Sequence, residues 1–122
     1  MEPPKFSWRA RATSFVYAFA GLRWFFKHEH NARIHGVATI LVIIISFVCK
    51  ISKLEFMLVL LAIALVLVAE MINSAIEKSL DHLSPGIHPT VKIIKDLAAA
   101  AVLVAAIIAI IIGLIIFIPK IL

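Results

Sequence analysis

Residues 56–81 read FMLVLLAIALVLVAEMINSAIEKSLD, and the reading of this stretch decides the fold. From Phe56 to Ile76 it runs for 21 residues, interrupted only by Glu70, Asn73 and Ser74. As a helix that run is about 31 Å long, enough to cross a hydrocarbon core of about 30 Å. The polar residues share one side of it. At about 100° per residue, Glu70, Asn73, Glu77 and Asp81 fall within an arc of about 80°. Intramembrane carboxylates usually face a bundle interior or a cavity, so the stripe marks a functional site. A seam that only joined helices would favour amides and hydroxyls over several carboxylates.

Two more apolar stretches flank this one. Ile34 to Cys49 is short, at about 24 Å of helix, while Leu97 to Ile118 gives about 33 Å without a charge and is closed by Pro119 and Lys120. Upstream, Phe15, Phe19, Leu22 and Phe26 recur at helical spacing, with Arg23, Lys27 and Trp24 suited to a headgroup zone. The expected fold is an all-α membrane protein in one domain, 1–122. It has an amphipathic surface helix over about 12–30 and spans at about 34–50, 56–77 and 96–118. Ser84, Pro85, Gly86 and Pro89 mark the turn before the third span, with Pro89 placed as the first residue of its helix. Ala101, Ala105, Ala109 and Gly113 form a small-residue ridge there, which allows close helix packing.

Composition agrees. The 122 residues are 63% hydrophobic and 16% charged, too apolar for a soluble domain and too short for paired transporter repeats or a separate catalytic domain. Lysines and arginines favour an N-inside orientation. Lys5, Arg9, Arg11, Arg23, Lys27, Arg33, Lys78, Lys92 and Lys95 lie on one side, against Lys50, Lys53 and Lys120 on the other. The net charge of +5 then suits anionic headgroups of the cytoplasmic leaflet, and it is not read as a nucleic-acid footprint. No secretory signal pattern is expected in the polar, basic N-terminus.

Other chemistries are excluded residue by residue. The four glycines, Gly21, Gly36, Gly86 and Gly113, are far apart, so no glycine-rich phosphate cradle exists. His28, Glu29 and His30 do not make a helical zinc motif, because Ala32 stands where the second histidine of HExxH would be. The single Cys49 cannot form an intrachain disulfide and reads as a small buried hydrophobe. What remains is acidic. Glu29, the stripe, Lys95 and Asp96 gather at one level near the inner interface, where oxygen ligands can hold Mg²⁺ and Lys92 or Lys95 can meet phosphates. A proton or cation path would instead place charges at several depths, and the outer two spans carry none midway. A non-catalytic scaffold is the third reading.

The string Glu70-Met71-Ile72-Asn73-Ser74-Ala75-Ile76-Glu77, followed by Asp81 and then Lys95-Asp96 before an alanine run, resembles the small bacterial membrane diacylglycerol kinases, a family that includes undecaprenol kinases. The likeness extends to Ser14-Phe15, Tyr17-Ala18, Gly21-Leu22, Glu29, Asn31, Arg33-Ile34-His35 and the Ser84-Pro85 and His88-Pro89 turn. It implies ATP- and Mg²⁺-dependent phosphorylation of a lipid alcohol at the bacterial cytoplasmic membrane, by a homotrimeric nine-span bundle with sites between neighbouring chains. By the same resemblance Glu70 is the catalytic base, Glu29 and Glu77 are metal ligands that also hold the nucleotide, and Asn73 and Asp81 support them. Tyr17, Gly86, Ile87, His88, Lys95 and Asp96 would contact the nucleotide, and Arg33 and Ala99, with Glu70, the lipid. The chain departs from the diacylglycerol branch at Ala10, where that branch often has arginine, and at Ala99, where some members have serine. The segment Asn31 to His35 and the Ser-Pro…His-Pro turn look more like the undecaprenol kinases.

Overall fold

The computed structural model describes all 122 residues as four helices: α1 (Trp8–His28), α2 (His30–Val48), α3 (Lys53–Leu83) and α4 (Pro89–Ile121). Three of them, α2, α3 and α4, are long and apolar enough to cross a membrane. α3 and α4 form a long antiparallel hairpin, α2 packs more loosely along α3, and α1 joins α2 at a corner. Only 10 of the 122 residues are buried, because most apolar side chains of the spans face outward, as lipid-facing side chains do.

The helices run beyond the expected spans. At 31 and 33 residues, α3 and α4 are about 46 and 50 Å long, so each carries well over a turn outside a 30 Å core. Pro89 opens α4 at its first position, as its missing N–H favours, and the His88 side chain caps that end by accepting from Thr90 N. At the other end α4 continues through Pro119 to Ile121. A proline in the last turn interrupts only one backbone bond, so it does not stop the helix where the sequence suggested.

Both short connections have local causes. Lys50 adopts φ 51°, and its N–H bonds Phe47 O while Ile51 N–H bonds Ser46 O, the left-handed bond pattern that ends a helix. Ser52 then starts α3 with a reciprocal cap, its hydroxyl accepting from Glu55 N and its own N–H donating to the Glu55 carboxylate. Those bonds, more than the nearby Lys120 ammonium, hold the Glu55 carboxyl below its usual range. The hairpin is tied at each end by an ion pair, Lys95 with Asp81 at 2.6 Å and Lys120 with Glu55 at 3.5 Å.

The surface helix begins four residues earlier than the sequence suggested and ends at His28. Its expected stripe, Phe15, Phe19, Leu22 and Phe26, is exposed, and the side chain α1 buries is Phe25. A helix lying in a membrane interface needs two apolar faces, one for lipid and one for its own protein, and the stripe supplies only the first. Within α4, Ala105 is the fully buried member of the small-residue ridge, while Ala101 is exposed.

Candidate active site

The polar stripe survives in three dimensions because α3 is one uninterrupted helix through Glu70, Asn73, Glu77 and Asp81. Burial falls along it. Glu70 is 4% exposed, Asn73 and Glu77 are half-buried, and Asp81 is exposed at the water-facing end. Each member finds a different partner. Glu70 Oε1 meets His35 Nε2 of α2 at 3.1 Å. The Asn73 amide donates to Glu77 Oε1 at 3.4 Å, and Asp81 accepts from Lys95 Nζ across the hairpin. That last bond holds the Asp81 carboxyl below its ordinary value.

Glu29 is the single residue between α1 and α2. Its extended backbone ends the first helix and starts the second, with its N–H on Phe25 O. This corner turns its carboxylate toward α3, where Lys78 Nζ lies 4.0 Å away. Lys78 also sits 5.5 Å over the Trp24 ring, so α1 and α3 are joined by one ammonium shared between an aromatic face and a carboxylate. Beside it, a groove of about 610 Å³ runs between α1 and α3, with Gly21, Trp24 and Phe25 on one wall and Met71, Ser74 and Lys78 on the other.

A second, apolar cavity of about 320 Å³ lies between α2, α3 and α4. His35 and Thr39 supply its polar rim. From Leu67 it extends along α3 to Val59, about 12 Å of helix, away from Glu70 and toward Phe117 of α4. Glu70 does not itself line this cavity; it is joined to it through the His35 imidazole.

The donor set suits a hard divalent cation. Asn73 Oδ1 is buried without any hydrogen-bond partner, and it stands one turn from the Glu77 carboxylate on the same face. An acceptor oxygen left free beside a carboxylate is what Mg²⁺ coordination uses. No three His, Cys, Asp or Glu side chains converge; Asn73 and Glu77 are the pair brought together here. Mg²⁺ ordinarily completes its shell with water and substrate phosphates.

The remaining residues singled out in the sequence lie elsewhere. Tyr17 is exposed on α1, Gly86, Ile87 and His88 form the exposed turn before α4, and Ala99 is exposed on α4. Arg33 donates to Lys27 O at 3.0 Å, bracing the α1–α2 corner. Asp96 accepts from Lys92 Nζ at 2.6 Å, one turn back on α4. No side-chain hydrogen bond or ion pair connects any of these to the side chains of Glu29, Asn73 or Glu77. Sequence reasoning missed His35 as a partner of Glu70. Thirty-five residues separate the two, and only the packing of α2 on α3 reveals the contact.

A family model described as prokaryotic diacylglycerol kinase matches residues 16–117. The chain is 40% identical over 107 residues to an undecaprenol kinase of Bacillus subtilis, covering 88% of this chain and 87% of that protein. It is 36% identical over 110 residues to a diacylglycerol kinase of Synechocystis, covering 89% and 63%. A diacylglycerol kinase of Escherichia coli is 34% identical over 95 residues, 78% of each chain.

Proposed function

The chain belongs to the prokaryotic diacylglycerol kinase family, and we propose that it phosphorylates undecaprenol at the cytoplasmic membrane interface with ATP and Mg²⁺. It is a lipid-alcohol phosphotransferase. The observation that carries the reaction's placement is the buried Glu70 carboxylate, bonded to the His35 imidazole that rims an apolar cavity, on the same helix face as Asn73 and Glu77. A lipid alcohol laid there would have its chain among Val66, Leu67, Ala109 and Gly113 and its hydroxyl near Glu70. Undecaprenol is favoured over diacylglycerol by the Asn31 to His35 segment, and the undecaprenol kinase match spans most of both chains.

Phosphoryl transfer depends chiefly on positioning and on charge neutralisation, which a few residues can supply without a glycine-rich loop. In this reading Glu70 takes the proton of the lipid hydroxyl. The oxygen bonds the γ-phosphorus as the bond to the β–γ bridging oxygen breaks, and ADP leaves with that electron pair. Glu29, Asn73 and Glu77 would hold Mg²⁺, which when bound offsets the negative charge of the phosphates. Lys95 and Asp96, at the water-facing end, would meet the nucleotide. The products are undecaprenyl phosphate and ADP; diacylglycerol in the same place would give phosphatidic acid.

The same reading includes a homotrimer with the N-terminus in the cytoplasm. Support for assembly comes from the incompleteness of one chain: Tyr17, the Gly86–His88 turn and Ala99 have no link to the acidic group, and neighbouring copies would bring them to it. The orientation rests on the nine lysines and arginines at the stripe's end of the spans.

The test is a labelled-ATP assay on the purified protein with undecaprenol and diacylglycerol in parallel mixed micelles. Undecaprenol is expected to be the faster acceptor, and equal rates would overturn the substrate assignment. Glu70→Gln is expected to remain folded, to bind nucleotide and to lose turnover. Wild-type turnover by that variant would overturn the base assignment.

A further inference from the structure

We infer that His35 is a positioning residue for Glu70, holding one carboxylate oxygen so that the other is presented to the lipid hydroxyl. The inference rests on the proposed role of Glu70 as base. It starts from a shortage: within α3 nothing bonds the Glu70 carboxylate, since the nearby Asn73 amide is directed to Glu77. A carboxylate that is 4% exposed among apolar residues needs a donor, and the one it has comes from α2.

The fold delivers His35 to that place. One residue further along α2, Gly36 lies under the Phe26 ring, where an added Cβ would stand 3.4 Å from Cε1. That contact lets the end of α1 close down on the start of α2. Thr39 Oγ1 bonds the His35 carbonyl at 2.7 Å, fixing the turn that carries the imidazole. With Glu70 ionised, the 3.1 Å contact requires the proton on Nε2, because a carboxylate only accepts. Oε1 is then occupied and Oε2 is left for the substrate.

His35 also rims the apolar cavity. The ring therefore touches both the base and the space assigned to the lipid chain. A residue that merely tied α2 to α3 would have no reason to meet the carboxylate at this boundary. A donor that orients the base would have to sit there, because the hydroxyl arrives at the junction of apolar and polar surroundings.

Steady-state kinetics on the full-length protein in undecaprenol micelles separates the two roles. The variants are His35→Leu, which removes the donor, His35→Asn, which stays polar but is too short to reach, and His35→Gln, whose amide can reach. For Leu and Asn, kcat is expected to fall about 10- to 100-fold, the effect of an ångström-scale misplacement of a reacting group, with KM for ATP unchanged. Gln is expected to recover most of the rate. Normal kcat in both His35→Leu and His35→Asn, beside an inactive Glu70→Gln, would overturn this inference alone. A Gln variant as slow as Asn would also overturn it. Should His35→Leu fail to fold, the comparison of Asn with Gln still decides. Wild-type turnover by Glu70→Gln would remove the base assignment itself.

Discussion

Ala105→Leu should loosen the α3–α4 hairpin, whereas Ala101→Leu, one turn away on the same ridge, should be nearly silent. Both positions carry the same residue at the same helical spacing, and only their surroundings differ: Ala105 is 4% exposed against α3, while Ala101 is exposed. Leucine adds three carbons. At position 101 they enter lipid or water at little expense. At 105 they must push back the packed neighbouring helix or adopt a poor rotamer, which costs about 1–3 kcal/mol. That range is about 5- to 140-fold in an unfolding equilibrium. Denaturation in mixed micelles, followed by helix content, measures it directly. Because α3 carries Glu70, Asn73 and Glu77, the 105 variant should also lose turnover before it unfolds. Equal stability of the two variants would refute the reasoning, since it would mean that the buried and exposed faces of α4 are interchangeable.

Two further outcomes follow from local geometry. The Asp81 carboxyl is held below its ordinary value chiefly by its hydrogen bond from Lys95, so the pair's contribution is complete above about pH 4 and is lost as pH falls through the lowered value. A Lys95→Met variant should therefore be less stable than wild type at neutral pH in a micelle denaturation titration, and the gap should close in acid; a gap that persists unchanged at low pH would contradict the pairing. Lys50 holds a φ of 51° without being glycine. Lys50→Gly relieves a left-handed penalty of about 1–2 kcal/mol against an unfolded-state entropy of about 0.4–1 kcal/mol, so the variant should be slightly more stable, and a measured loss of stability would count against the assigned turn.

Much of the architecture is legible in residue order because membrane helices obey a one-dimensional rule: apolar runs of sufficient length must cross. The stripe on α3 and the helix start at Pro89 could be read for the same reason, since both depend only on spacing along one helix. The Ser52–Glu55 cap carries a four-residue signature that sequence inspection could have found. The break at Glu29 has no glycine or proline to announce it. It arises where α1 turns to bury Phe25 while α2 turns to cross, and the demand is tertiary. His35 and Glu70, or Lys95 and Asp81, are paired by how helices pack, which spacing within a single helix does not encode. The ammonium assigned to phosphate from its position alone is already engaged, so its nucleotide role would involve exchange of one anion for another.

The uninterrupted run of α3 from Glu70 to Asp81 works as a gauge. It separates the buried acid from the exposed acid by about 16 Å, set by the helical rise and not by any adjustable joint. A catalyst built on such a gauge needs no domain to swing shut, because depth and azimuth are fixed together by one backbone. Its tolerance is correspondingly lopsided. Side chains along α3 can be exchanged singly, each with its own local effect. One residue inserted between Asn73 and Glu77, however, would turn everything beyond it by about 100° and advance it by about 1.5 Å. Asp81 would then leave Lys95, Glu77 would leave Asn73, and the two halves of the site would face different directions with every residue still present.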